Sequence, residues 1–171
     1  RSRVRDVLIY TVVHQPRRLR LPAEPIPTEA GPEEMAEVLF DEPMNERYFR
    51  KVARTSYYPA LERFERLLEK GLRLAIGFSL SFVRQAQRWD EELLDRFRAL
   101  VAREEVELVA VEPTHSFLLL FDLPRFVDRI GSDAQFGVLI GIPTQRLPER
   151  FLVDLRDRHL FERVRVAGRD F

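Results

Sequence analysis

The feature that most constrains this chain is a repeated change of period. Short, nearly continuous apolar runs rich in β-branched residues alternate with longer stretches whose apolar positions recur at helical spacing. Val7 to Val13 is the first such run, Leu72 to Leu80 the second and Val106 to Val111 the third. Each reads as a strand buried on both faces, the habit of parallel sheets. Between them Phe49, Val52 and Ala53 form one helical stripe, and Leu61, Phe64, Leu67 and Leu68 form another. Pro59 is expected to interrupt or restart the helix between these stripes, and Gly71 to stop it. Asp90 is placed to cap a further helix carrying Leu93, Leu94, Phe97, Leu100 and Val101. Strand–helix alternation of this kind implies parallel strands joined by right-handed crossovers, an α/β fold.

The first strand is expected to end at His14-Gln15-Pro16, where proline stops the ladder. A long connection follows, punctuated by Pro22, Pro25, Pro27, Pro32 and Pro43, with a short helix expected over Glu33 to Leu39. A loop of that length in a compact domain is commonly functional. Pro124 opens another helical stretch with Phe126, Val127 and Ile130. Beyond it, Phe136 to Ile142 reads as a fourth strand, a helix follows Pro148, and Val164 to Val166 reads as a last short strand. Residues 1–130 thus form the regular β/α part, and residues 131–171 a β/α tail suited to covering an open sheet edge. The chain opens on Arg1 rather than Met, as expected of part of a longer product, and no signal peptide is read at its start.

Charge narrows the function. Twenty-eight basic residues balance 28 acidic ones, which argues against a protein built to neutralise nucleic-acid phosphates. No apolar run approaches the roughly 18 residues needed to cross a bilayer, so no membrane partner is expected. The absence of cysteine excludes disulfides and thiolate metal sites and is compatible with a reducing cytoplasm, the expected location.

In parallel α/β folds the working groups lie just past the carboxyl ends of strands. The first end offers His14 and Gln15, the second Ser79 and Ser81, and the third Glu112, His115 and Ser116, with Glu107 inside the strand. Such mixed donors and acceptors suit polyhydroxylated ligands. A strand-end histidine is also often structural, and Glu107 also reads as a solvated strand residue. Tyr57, Tyr58 and Trp89 are candidates to stack on sugar rings, although aromatics at helical spacing are more often core. The only histidines are His14, His115 and His159, and no pair has close ligand spacing. A metal-dependent deacetylase barrel therefore fits poorly, and neither a metal nor a cofactor is expected.

The order of these pieces resembles glycoside hydrolase family 57, especially its α-amylase-like branch. The resemblance runs through His14 to Arg20, Phe40-Asp41, Asn45 to Ala53, Ser56 to Ala60 and Phe78 to Ser81. It continues with Val106 to Glu112, His115-Ser116-Phe117 and Leu120-Phe121-Asp122. It implies an incomplete (β/α)7 barrel, only partly represented here, that cleaves or transfers α-glucosidic linkages with retention. By the same resemblance His14 and Glu107 contact sugar hydroxyls, Gln15, His115 and Trp89 are further substrate contacts, and the partner is an α-glucan or maltooligosaccharide.

Retention requires a nucleophilic carboxylate and an acid/base carboxyl about 5–5.5 Å apart. Neither of the family's signatures for that pair is present. Aligning Phe136-Gly137 with the acid/base signature puts Ser132 and Ala134 where the family has acidic residues. Glu112 and Asp122 are the remaining candidates for a replacement pair. The alternatives are a stretch missing near Ile130–Gly131, or a shortened, non-catalytic glucan-binding relative. Open strand edges in a partial barrel also make self-association an expectation.

Overall fold

The computed structural model describes residues 9–132, apart from Ala110, Pro113 and Phe117. The expected fourth strand, the helix after Pro148 and the last short strand lie outside the described residues.

Three strands form one parallel sheet in the order β1 (Ile9–Val13), β2 (Leu74–Phe78), β3 (Val106–Leu108). The register runs Tyr10 to Ala75 to Glu107 across the sheet, with Val13 opposite Phe78. Side chains alternate along each strand, so Ile9, Val13, Leu74, Ile76, Phe78, Val106 and Leu108 share the face that enters the core. Tyr10, Val12, Ala75, Gly77 and Glu107 lie on the other face. The central strand β2 is buried throughout, as its apolar run implies, whereas Tyr10 on β1 is exposed.

Gly77 marks a close approach. The chain leaving β3 continues the ladder through Val109 N–H to Ile76 O at 2.8 Å and then crosses β2. A Cβ at position 77 would lie 2.2 Å from Val111 Cγ2 and 3.0 Å from Val109 O. Only glycine leaves the room this crossing needs.

Seven α-helices accompany the sheet among the described residues. They are α1 (Pro32–Leu39), α2 (Glu42–Val52), α3 (Tyr58–Leu68), α4 (Leu80–Trp89), α5 (Glu91–Val101), α6 (Leu118–Phe121) and α7 (Leu123–Ser132). Pro59 does not break the path from α2 to α3. A π-helical turn at Ala53–Tyr57 absorbs the missing amide, with Tyr58 N–H donating to Ala53 O. Gly71 takes φ +87° just after α3, the left-handed geometry that glycine adopts freely.

The second strand is shorter than its apolar run. It ends at Phe78, and Ser79 begins α4, its Oγ accepting from Phe82 N–H at 3.2 Å. The run continues apolar because Leu80, Phe82 and Val83 face the core from a helix rather than from a strand. Asp90 closes α4 and opens α5, accepting from Leu93 N–H at 3.1 Å and from Tyr58 Oη at 2.9 Å. Phe49, Phe82, Leu61, Leu93 and Leu94 fill the space between sheet and helices. No helix among the described residues is long and apolar enough to cross a membrane.

Candidate functional site

The carboxyl ends of β1 and β2 meet at Ser79. Its amide donates to Val13 O at 3.0 Å, and its hydroxyl is hydrogen-bonded to His14 Nδ1 at 2.8 Å. His14 is half-buried, and burial, followed by the neighbouring His115 imidazole, lowers its pKa. The two imidazole rings lie 4.9 Å apart. His14 is therefore a neutral, oriented imidazole at neutral pH, able to donate from one ring nitrogen and accept at the other.

Gln15 has a different role. It is 3% exposed, and its backbone carbonyl accepts from Ser81 Oγ at 2.6 Å and Gln85 Nε2 at 2.7 Å. Its side-chain carbonyl accepts from Tyr57 Oη at 2.8 Å. The π-helical turn brings that phenol inward, where it also donates to His14 O at 3.1 Å. Burial pushes the Tyr57 phenol up to about 12, so it remains a donor across the physiological range. Gln15 thus ties β1 to the π-helical turn and to α4.

Behind it, Asn45 anchors the loop after β1. Asn45 Oδ1 accepts from Arg18 N–H at 2.7 Å, and its amide nitrogen donates to Arg18 O at 3.3 Å. Arg18 packs over Tyr48 and Arg17 over Phe40, with the guanidinium carbons 3.9 Å and 3.8 Å from the ring centres.

A cavity of about 520 Å³ opens beside His14. It is lined by Arg17, Phe40 and Glu42, by Thr114, and by one stripe of α4 (Ser81, Arg84, Gln85, Arg88 and Trp89). Those α4 positions are one helical turn apart, while Phe82, Val83 and Ala86 face the core. Glu42 is held by Arg17 at one carboxylate oxygen and by Arg88 at the other, the latter at 2.8 Å. Trp89 packs on Phe49, their ring centres 5.7 Å apart, and also lines the cavity. Tyr57 sits against Phe49 and Phe82, and Tyr58 is tied to Asp90.

Glu112 organises the turn that carries His115. It is 5% exposed and accepts from Ser116 N–H at 2.8 Å, Thr114 N–H at 3.1 Å and Thr114 Oγ1 at 2.9 Å. Arg129 pairs with its other oxygen at 2.9 Å. Burial pushes its pKa up, but the Ser116 and Thr114 hydrogen bonds and the Arg129 charge outweigh burial and leave it below the usual carboxylate value. His115 takes φ +52° at the end of this turn, a conformation that non-glycine residues adopt only when their surroundings hold them there.

Of the residues singled out in the sequence, His14, Gln15 and His115 gather at one end of β1, and Trp89 lines the cavity beside His14. Glu107 stands apart, exposed in β3 on the row of Tyr10. Asp122 caps α7, its carboxylate accepting from Arg125 N–H at 3.0 Å. Glu42 is the one carboxylate lining the cavity among the described residues. No group of metal-ligating side chains occurs among them. Glu42, Arg84, Gln85 and Arg88 were not singled out, although Ser81, Arg84, Gln85 and Arg88 already show the spacing of a single helix face.

The described part is an α/β domain in which the polar ends of β1 and β2 border a cavity. Residues 8–141 match the model of glycosyl hydrolase family 57, and the chain belongs to that family. It is 31% identical over 112 residues to a protein of Methanocaldococcus jannaschii described as a putative alpha-amylase. That match covers 64% of this chain and 23% of the relative, so the chain spans under a quarter of the relative's length. No solved structure matches it.

Proposed function

We propose that this domain holds the sugar in a retaining α-glucan hydrolase or glucanotransferase built on an incomplete (β/α)7 barrel. The observation that carries the reading is His14. It is an oriented, neutral imidazole at the end of β1, facing a cavity large enough for a sugar unit and flanked by Trp89. Imidazole nitrogens recognise hydroxyls, and an indole covers the apolar face of a pyranose. Family membership and the M. jannaschii relative support a carbohydrate substrate. Glu107 has the family's sugar-contact position by resemblance; its place on the sheet face shared with Tyr10 gives it a role only where further chain builds the site on that face.

Catalysis by two carboxylates requires groups from outside the described residues. Glu112 is saturated by Thr114, Ser116 and Arg129, and its low pKa disfavours the protonated form a general acid needs. Asp122 is occupied as a helix cap. A second reading stands beside the first, a glucan-binding homologue without turnover. Calorimetric titration with maltotriose and longer maltooligosaccharides tests both. Saturable binding that weakens in His14→Ala is expected, and no binding by the wild type ends the saccharide reading. Release of reducing sugar or transfer products then selects the enzyme over the binding homologue.

A further inference from the structure

The cavity has an electrical asymmetry that a neutral glucan leaves unused. Arg17, Arg84 and Arg88 line it against one carboxylate, Glu42, an excess of two formal positive charges in a chain whose own balance is zero. Both oxygens of Glu42 are already engaged, by Arg17 and Arg88. Arg84 is exposed, and its side chain makes no hydrogen bond or ion pair among the described residues. It lies one turn before Arg88 on α4, where like charges repel weakly, and it lacks the Glu42 partner that Arg88 has. Guanidinium groups offer paired N–H donors matched to the oxygens of a phosphate or carboxylate. Arg17 and Arg88, steadied by Glu42, keep further N–H groups available.

We infer that this cavity selects a saccharide carrying an oxyanion, a phosphate ester or a uronate, and that Arg84 recognises the charge. The inference rests on the saccharide reading above. Its test compares neutral maltotriose, maltotriose phosphorylated at a C6 hydroxyl, maltotriose oxidised there to the uronic acid, and inorganic phosphate, each titrated calorimetrically into the full chain. At least one anionic sugar is expected to bind about tenfold tighter than maltotriose at low salt, and which of the two gains more identifies the anion. The advantage is expected to shrink in 0.5 M salt (~4 Å screening length) and to fall to near unity in Arg84→Gln, while Arg84→Lys keeps part of it. Equal affinity for charged and neutral sugars overturns the inference and leaves the saccharide reading standing. A preference that survives Arg84→Gln also overturns it, as does inorganic phosphate binding as tightly as the phosphorylated sugar. If no sugar of either kind binds, the saccharide reading fails as well.

Discussion

Replacing Glu112 with glutamine changes one buried oxygen into an NH₂ group and removes a charge, with almost no change of shape. In the native turn that carboxylate accepts from two backbone amides and the Thr114 hydroxyl, and it faces Arg129 at 2.9 Å. In Glu112→Gln at least one of these donors meets another donor. Hydrogen bonds to a charged group contribute about 1.5–3 kcal/mol each, whereas Arg129 is partly exposed, so loss of its ion pair adds at most about 1 kcal/mol. Because the terms overlap, we expect a net loss of about 3 kcal/mol, equivalent to roughly 6–12 °C in Tm for a chain of this size. Urea titration at pH 7 followed by circular dichroism measures it. The sign with pH follows from the depressed folded pKa. The stabilisation is complete above the unfolded carboxyl value, about 4.3, and is lost as pH falls through the lower folded value. Wild type and variant should therefore converge in acid. A loss below about 1 kcal/mol at pH 7, or a gap that widens on acidification, would refute the role assigned to Glu112.

Three further outcomes follow from the geometry. Gly77→Ala should destabilise by about 1–3 kcal/mol through overpacking, and Val111→Ala in the same chain should recover much of the loss, since Val111 Cγ2 is the nearest obstruction; thermal denaturation of the single and double variants measures both. Tyr57→Phe should cost about 1–2 kcal/mol, because it leaves the Gln15 side-chain carbonyl and His14 O without that phenol donor; chemical denaturation reads the loss. His14 has a lowered folded pKa, so its contribution to stability is present above the unfolded value near 6.5 and fades as pH falls through the folded one. The His14→Gln variant should lack that part of the acid limb, and proton NMR of the imidazole should titrate below the ordinary histidine range.

The parallel sheet was legible because its signals are local. β-branched runs, the Asp90 cap and the Gly71 stop each act through their own backbone; the cap and the stop fall where the sequence puts them, and the strands fall within their runs, with β2 and β3 ending short of them. Helix α4 was not legible as a helix, because the apolar run of β2 continues through Leu80 without a change in composition. The available signal was Ser79 followed by Phe82, Val83, Ala86 and Trp89 at helical spacing. The site was half legible for a related reason. A residue's position at a strand end can be read from pattern, and this located His14, Gln15 and His115. What the side chain does there depends on partners far along the chain. Gln15 meets Tyr57 and Gln85 only after folding, Glu112 meets Arg129, and Glu42 meets Arg17 and Arg88.

The π-helical turn at Ala53–Tyr57 amounts to one surplus residue wound into an otherwise continuous helix. Excising a single residue there would restore ordinary winding and leave α2 and α3 in register, because the wide turn takes up the extra residue without turning its flanks. What such a deletion removes is the bulge itself, and with it the placement of the Tyr57 phenol at the end of β1. A one-residue length change in this short segment therefore acts on the group beneath His14 while sparing the seat of the apolar stripe of α3.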